Sequence, residues 1–182
     1  MFLLEEYSMK VLLEGLLPKL YPGLPFICIP HEGKRDLETS LGRKLRAWRE
    51  PGVRFCVLRD NDGGDCRATK QGVLTLCEAG GRPDTIVRIV CQELEAWYFG
   101  DLAAVAKAYG KPNVVAVSGR AKFRDPDAIA KPSRELAGLV EEFQKVSGAR
   151  LLGPELSREN RSASFRVFIE AVDRLASEVS PS

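Results

Sequence analysis

The chain has 182 residues, of which 45% are apolar and 29% charged, and its formal net charge is +2. This length and composition predict one domain, 1–182, with a single hydrophobic core. The near-neutral charge neither requires nor excludes nucleic acid, because a binding surface depends on local clusters of charge. No apolar run is long enough to span a bilayer, and the first residues do not resemble a signal peptide, so we expect a cytoplasmic protein without membrane contact.

The five cysteines include no C-x-x-C pair, and the chain has one histidine, His31. Cys28, Cys56 and Cys91 lie in strand-like apolar runs. We therefore expect reduced cysteines in the core. The sequence also offers too few ligands for a structural zinc site.

Strand-like and helix-like patterns alternate strictly through residue 92. Such alternation predicts an α/β fold, in which a mostly parallel sheet of four strands or slightly more lies between two layers of helices. Residues 1–92 would form this α/β core. We expect strands at 2–5, 24–29, 53–58 and 85–91, and helices at 8–20, 36–48 and 65–78.

Residues 93–182 are predicted to be a mostly helical extension of the same domain. Residues 114–117 fit either a short strand or an extended connection, and 119–132 fit a long loop or a mobile flap because two prolines interrupt them. Residues 180–182 should form a frayed tail. The expected helices lie at 92–98, 101–109, 133–146 and 164–179.

The third predicted strand is followed by a turn with the sequence Asp60-Asn61-Asp62-Gly63-Gly64-Asp65. The carboxylates of Asp60 and Asp62 can reach one small volume at the carboxyl edge of the sheet, where α/β proteins place ligands. Ordinary turn chemistry, with Asp65 as a helix cap, is the alternative.

Glu5 and Glu6 follow the first predicted strand in the same way. If the first and third strands are parallel neighbours, three or four carboxylates converge there. Like charges repel one another unless a cation such as Mg²⁺ or Mn²⁺ neutralises them. This convergence favours a metal site over a simple turn.

The order strand, glutamate, helix, strand, helix, strand, Asp-x-Asp, helix resembles the Toprim domain. That domain occurs in topoisomerases, bacterial primases and the overcoming-lysogenisation-defect nucleases. Its glutamate corresponds to Glu5 and its Asp-x-Asp pair to Asp60 and Asp62. Two departures are Glu6, where many Toprim proteins have glycine, and Met9, where the related nucleases often have an acid.

The whole chain is more closely similar to a Toprim-related bacterial family, domain of unknown function 4276. Members of that family are thought to act beside ATPases in phage defence. The segments that carry the similarity are 4–10, 29–34, 57–62, 88–98 and 160–162.

The resemblance implies a Mg²⁺-dependent or Mn²⁺-dependent nuclease that cuts nucleic acid. DNA is favoured over RNA as the substrate, but the sequence leaves both open. Glu5, Asp60 and Asp62 would bind the metal and take part in catalysis, and Glu93 or Glu95 would serve a second metal. The alternative is that a helix dipole favours Glu93 and that Glu95 pairs with an arginine.

Lys34, Arg59 and Arg161 are candidates for binding phosphate groups of nucleic acid. Capping of the last helix by Ser162 or Ser164 is a simpler explanation of the segment around Arg161. Among the secondary candidates Glu6, His31 and Asp65, His31 fits either a general base or a local hydrogen-bonding residue. Trp97 and Tyr98 fit base stacking less well than core packing.

A second functional hypothesis is a partner or regulatory subunit of an ATPase. Such a subunit would bind metal or nucleotide in the same acidic pocket without turnover, or would become active only in the complex. No G-x-x-x-x-G-K-[ST] or G-x-G-x-x-G motif occurs, so the chain itself gives no support for a kinase or NTPase. The sequence leaves open whether the protein is a monomer or a homodimer.

Overall fold

Four parallel strands form the sheet at the centre of the molecule. The structure is a computed structural model that describes residues 1–179, so the predicted tail at 180–182 lies outside the described residues. The strand order is β2-β1-β3-β4, and each neighbouring pair is parallel. The predicted parallel α/β sheet is therefore confirmed. The strands are β1 (Phe2–Leu4), β2 (Cys28–Pro30), β3 (Cys56–Asp60) and β4 (Ile86–Val90).

The connections between these strands are helices, because parallel strands need a long crossover. The helices are α1 (Tyr7–Leu20), α2 (Lys34–Ala47) and α3 (Cys66–Ala79). Helix α2 begins two residues before the predicted start. Gly33, with φ of 98°, occupies its N-cap position, while the Asp36 carboxylate accepts a hydrogen bond from the backbone N–H of Glu32.

Alternate residues of each strand face opposite helical layers, as the two-residue period of a strand requires. On β1, Leu3 packs in the cluster that contains residues of α2 and α3. Phe2 and Leu4 pack in the other cluster, with α1 and the helices of the second half. The sheet is therefore the middle of three layers.

Five helices of the second half complete the layer around α1. Trp97, Tyr98 and Phe99 are fully buried in α4, which confirms core packing for the first two. Within residues 1–179, no helix combines the length and the apolar character needed to cross a bilayer. The helices are α4 (Glu95–Gly100), α5 (Leu102–Tyr109), α6 (Pro132–Leu139), α7 (Lys145–Leu152) and α8 (Ala163–Val179).

The predicted helix at 133–146 is wrong, because the chain leaves the helical conformation after α6 and α7 starts only at Lys145. Val140 and Phe143 lie in the break, and both are buried. The backbone N–H of Phe143 donates to the carbonyl of Val140 over 3.0 Å, which forms a turn between the two helices. Burial of these side chains thus overrides helix propensity.

The segment between α5 and α6 is neither a strand nor a free flap. Residues 114–117 lie within a 3-10 helix, Pro112–Gly119, and two further 3-10 turns follow at Ala121–Phe123 and Pro126–Ala128. Asp127 of the last turn accepts hydrogen bonds from the Ser162 hydroxyl (2.6 Å) and from the Ser164 backbone N–H (2.8 Å). These bonds fix the segment to the start of α8.

Candidate functional site

Two carboxylates meet at the carboxyl edge of the sheet because β1 and β3 are neighbours. Glu5 directly follows β1, and Asp60 is the last residue of β3. Glu5 Oε2 accepts a 3.0 Å hydrogen bond from the backbone N–H of Asp60. Only 8% of Glu5 and 4% of Asp60 is exposed. The structure therefore brings together two residues of the predicted metal set in a buried position.

Two buried carboxylate oxygens among residues 1–179 have no hydrogen-bond partner, namely Asp60 Oδ1 and Glu95 Oε2. Burial raises the pKa of Asp60 well above its usual range, and the negative charges of Glu5, Glu6 and Glu95 raise it further. Burial also raises the pKa of Glu95 to about 7, although the charge of Lys145 opposes the change. Unpaired buried carboxylates are costly, and strongly shifted pKa values often mark functional sites. These oxygens are suited to a cation or a proton.

Glu5 is buried, and its negative charge is balanced by Arg59. Burial raises the pKa of Glu5, while the Arg59 guanidinium and the Asp60 N–H oppose the change. Arg59 Nε lies 3.7 Å from Glu5 Oε2 and donates to the Asp60 carbonyl over 3.1 Å, and Arg59 Nη1 pairs with Glu38. The guanidinium of this predicted phosphate ligand therefore holds the acids in place.

Asp62 lies at the exposed side of the same edge. Its Oδ2 accepts a 2.9 Å hydrogen bond from Lys34 Nζ, and this bond and the charge of Asp62 raise the pKa of Lys34. The backbone N–H of Asp62 donates to the Gln92 carbonyl over 3.1 Å. Asp62 has φ of 50° and Gln92 has φ of 66°, and they are the non-glycine residues of the described chain with positive φ. Backbone strain of this kind tends to collect at functional sites.

Lys145 brings a positive charge to the acids from the second half of the chain. Its Nζ lies 3.5 Å from Glu6 Oε2. Burial lowers the pKa of Lys145, but the charges of Glu95, Glu6, Asp60 and Glu93 outweigh burial, and the pKa is raised. Sequence analysis missed this residue because no local pattern indicates that the start of α7 lies next to Glu6.

Among residues 1–179, no group of three or more His, Cys, Asp and Glu side chains is arranged to hold a metal ion. The acids are instead bound to groups of the protein: Glu5 to the Asp60 N–H, Asp62 to Lys34 and Glu6 to Lys145. The donor chemistry still fits Mg²⁺, which prefers carboxylate oxygens. Binding by this set would require the two lysines to give up their acidic partners.

The model of one protein family, described as a domain of unknown function (DUF4276), matches residues 4–173. This chain belongs to the DUF4276 family. The matched range includes Glu5, Asp60, Asp62 and Glu95 as well as Lys145. A search of curated proteins and a search of solved structures each gave no match.

Two further acids of the DUF4276 chain bind helix N-termini. Glu93 Oε2 accepts a 2.8 Å hydrogen bond from the Ser133 N–H in the first turn of α6. Asp65 Oδ1 accepts a 2.7 Å bond from the Ala68 N–H, so the predicted cap of α3 is confirmed. Negative charge is favoured at such positions. Glu93 thus has a structural role in this arrangement, and its role at a second metal stays a prediction.

His31 is buried, and both of its ring nitrogens have partners. Nδ1 lies 2.8 Å from the Leu4 carbonyl, and Nε2 lies 2.7 Å from Lys44 Nζ. Because a carbonyl only accepts and an ammonium only donates, the ring is neutral, with its proton on Nδ1. Burial lowers the pKa of His31, the bond to Leu4 opposes the change, and Lys44 lowers the pKa further. This geometry favours local hydrogen bonding over general-base catalysis.

Arg161 binds the protein itself. Its guanidinium donates to the backbone carbonyls of Phe99, Phe123 and Arg124 over 3.3 to 3.4 Å. The next residue, Ser162, caps α8 by accepting a 3.1 Å hydrogen bond from the Phe165 N–H. The capping explanation of this segment is therefore supported, while phosphate binding by Arg161 stays a prediction.

Proposed function

We propose that this protein is a Mg²⁺-dependent phosphodiesterase that cleaves nucleic acid, with DNA as its main substrate. The observation that carries the proposal is the unpartnered, buried Asp60 Oδ1 beside Glu5, in a group that also contains the buried Glu95. The acids follow neighbouring parallel strands, at the edge where α/β proteins bind ligands. The resemblance of their order to that of the Toprim domain supports the same activity.

In this proposal Glu5, Asp60 and Asp62 would hold Mg²⁺, whose charge would polarise a phosphate and lower the pKa of water. Arg59 and the Asp60 N–H keep Glu5 oriented. Lys34, once released from Asp62, is placed to bind a phosphate oxygen.

Glu95 and Lys145 contribute protons and charge from the helical half of the chain. The pKa of Glu95 is raised to about 7, chiefly by burial, so its carboxyl group can accept and release a proton near neutral pH. Lys145 pairs with Glu6, and once released from this acid its ammonium group would bind a phosphate oxygen. Both halves of the chain would then serve one reaction.

The first prediction compares the wild-type chain with Asp60→Asn on single-stranded DNA, duplex DNA and RNA, with Mg²⁺ or Mn²⁺. We expect cleavage by the wild type and a loss of at least about 100-fold in the variant, the upper range for groups that merely support metal ligands. The melting temperature should change little, because removal of an unfavourable buried charge offsets the unpartnered donor that the asparagine amide introduces. Loss of activity without loss of stability identifies a functional acid.

Asp84→Asn is the matched control, because Asp84 is exposed and precedes β4 at the opposite edge of the sheet. This variant should cleave as the wild type does. Glu5→Gln should behave as Asp60→Asn, since the amide oxygen can still accept the Asp60 N–H. Full activity of both site variants, or an intact panel of nucleic acids with either metal, would contradict the phosphodiesterase proposal.

The ion pairs at the site favour a second candidate function. Because Lys34 and Lys145 already pair with Asp62 and Glu6, the protein can act as a subunit that becomes competent only when a partner such as an ATPase displaces these lysines. Calorimetric Mg²⁺ binding without cleavage, together with a stable complex with an ATPase encoded nearby, supports this function. Cleavage by the isolated chain rejects it.

A further inference from the structure

Two cysteine thiols lie next to each other beneath the acidic edge. Cys66 is the first residue of α3, and Cys91 directly follows β4. Their Sγ atoms are 3.5 Å apart, and both residues are partly exposed. The other three cysteines, Cys28, Cys56 and Cys77, are buried. The pair is therefore less buried than the remaining cysteines of the described chain.

Asn61 connects the thiols to the loop that carries Asp62. Its side-chain amide donates to Cys66 Sγ over 3.1 Å and to the Gly64 carbonyl over 2.7 Å. Its side-chain oxygen accepts from the backbone N–H of Gln92, the residue after Cys91. The two cysteines thus flank the contact between the 61–65 loop and the connection from β4 to α4.

We propose that Cys66 and Cys91 form a reversible oxidation site, at which a small-molecule disulfide such as oxidised glutathione converts the two thiols into an intramolecular disulfide. A disulfide bond is about 2.05 Å long, so the sulfurs must approach by about 1.5 Å. Neither cysteine lies in the middle of a strand or helix, so side-chain rotation and a small loop movement can close this gap.

The exchange balances in two steps. Burial and the hydrogen bond with Cys66 raise the pKa of Cys91 to about 12, so the first attack is assigned to Cys66. Cys66 loses its proton and attacks the small disulfide, which forms a mixed disulfide and releases one small thiol that carries away the proton. The second cysteine thiol then attacks the protein sulfur of the mixed disulfide, the protein disulfide forms, and a second small thiol leaves with the other proton. Two electrons pass from the protein thiols to the small disulfide, and excess reduced thiol reverses the reaction.

The cross-link would join residues 25 positions apart in sequence and tie the 61–65 loop to the end of β4. A disulfide that closes a loop of this size stabilises a protein by restricting its unfolded state. For a chain of this length we expect a rise in melting temperature of roughly 5 °C or more. Hydrogen exchange of residues 61–66 should slow at the same time, because the loop can no longer separate from Gln92.

The test equilibrates the full chain in glutathione buffers of increasing oxidised fraction. Free thiols are then alkylated and the disulfides are mapped by mass spectrometry of peptides. We expect loss of two of the five thiols, a peptide that links Cys66 to Cys91, and a higher melting temperature that dithiothreitol reverses. Cys66→Ser and Cys91→Ser should each abolish the linked peptide and the temperature shift.

Cys77→Ala is the matched control, because Cys77 lies in the same helix as Cys66 but is buried. This variant should still lose two thiols and show the linked peptide. The proposal would be overturned by any of four results: protein that carries glutathione but no internal disulfide, a disulfide between two molecules, a bond to another cysteine, or five unchanged thiols. Nuclease activity does not enter the measurement, so the result is independent of the proposed function.

Discussion

At the scale of single residues, the candidate site is defined by acids that burial penalises. Asp60 and Glu95 each keep a buried oxygen without a partner, and burial raises the pKa of both. A fold selected for stability alone would favour apolar or neutral side chains at these positions. The two unpaired oxygens therefore support the ligand site that we propose.

The second prediction concerns Glu95 and pH. Its folded-state pKa of about 7 lies above the ordinary value of 4.5, so between these values the folded state holds a proton that the unfolded state has lost. The unfolding free energy should therefore fall as pH rises from about 4.5 to 7 and then level off. In the wild type Glu95 should account for a decline of up to about 3 kcal/mol in the unfolding free energy over this pH range. Glu95→Gln should abolish that decline, as measured by urea unfolding at each pH.

The test compares how the unfolding free energy changes with pH, not its absolute value, because the glutamine amide introduces an unpartnered buried donor that lowers stability at every pH. His31 acts in the opposite direction, since burial lowers its pKa, but its contribution is common to both proteins and cancels in the difference. Glu50→Gln removes an acid at an exposed position and is the control. A Glu95→Gln curve parallel to that of the wild type would show that Glu95 does not titrate in this range.

At the scale of elements, local patterns predicted the sheet and the first part of the site. Apolar runs that end in acids indicate the ends of strands, Pro-Gly indicates the ends of helices, and strict alternation of the two predicts a parallel sheet. Adjacent parallel strands then place Glu5 and Asp60 at one edge. Lys145 could not be predicted in this way, because its position depends on how α7 packs against α1.

Small residues allow α1 and α7 to approach closely. A Cβ atom at Gly153, just after α7, would lie 2.7 Å from the Leu12 carbonyl oxygen and 3.2 Å from Gly15 Cα. Both contacts involve the backbone of α1, which cannot move as a side chain can. The approach holds α7 beside α1, with Lys145 at the end that faces Glu6.

The third prediction is that Gly153→Ala destabilises the protein by about 1–3 kcal/mol, the usual range for overpacking. The backbone at Gly153 is right-handed helical, so alanine brings no conformational strain, and the difference from a glycine-to-alanine change without this contact reports the contact. Gly72→Ala is the matched control, because Gly72 lies within α3 and a Cβ atom there would meet nothing within 4 Å beyond the adjoining backbone of its own helix. This control should gain about 0.5–1 kcal/mol from helix propensity. If Gly153→Ala and Gly72→Ala change the free energy of unfolding by urea equally, α1 and α7 can move apart to accommodate the added methyl group.

At the scale of the whole molecule, the two halves of the chain share one core. Leu12 and Leu16 of α1 are fully buried in the cluster that contains Trp97, Phe165 and Phe168 of the second half. The site is divided in the same way, since Glu5 and Asp60 come from the α/β core while Glu95 and Lys145 come from the helical part. One domain with a helical extension stays a prediction, and the sequence alone does not indicate which helices cover α1.

The last prediction is that the fragment 1–92 does not fold independently. Without the second half, the face of the sheet formed by Phe2, Leu4 and Leu58, together with the apolar side of α1, would be exposed to water. At about 25 cal/mol per Å² of apolar surface, loss of this burial removes more free energy than the few kcal/mol by which a domain of this size is stable. The full chain should unfold in one transition, whereas the fragment should bind a hydrophobic dye and melt without a cooperative step. A sharp transition of the isolated fragment, with native-like circular dichroism, would instead identify residues 1–92 as a domain of their own and the helical half as a separate attachment.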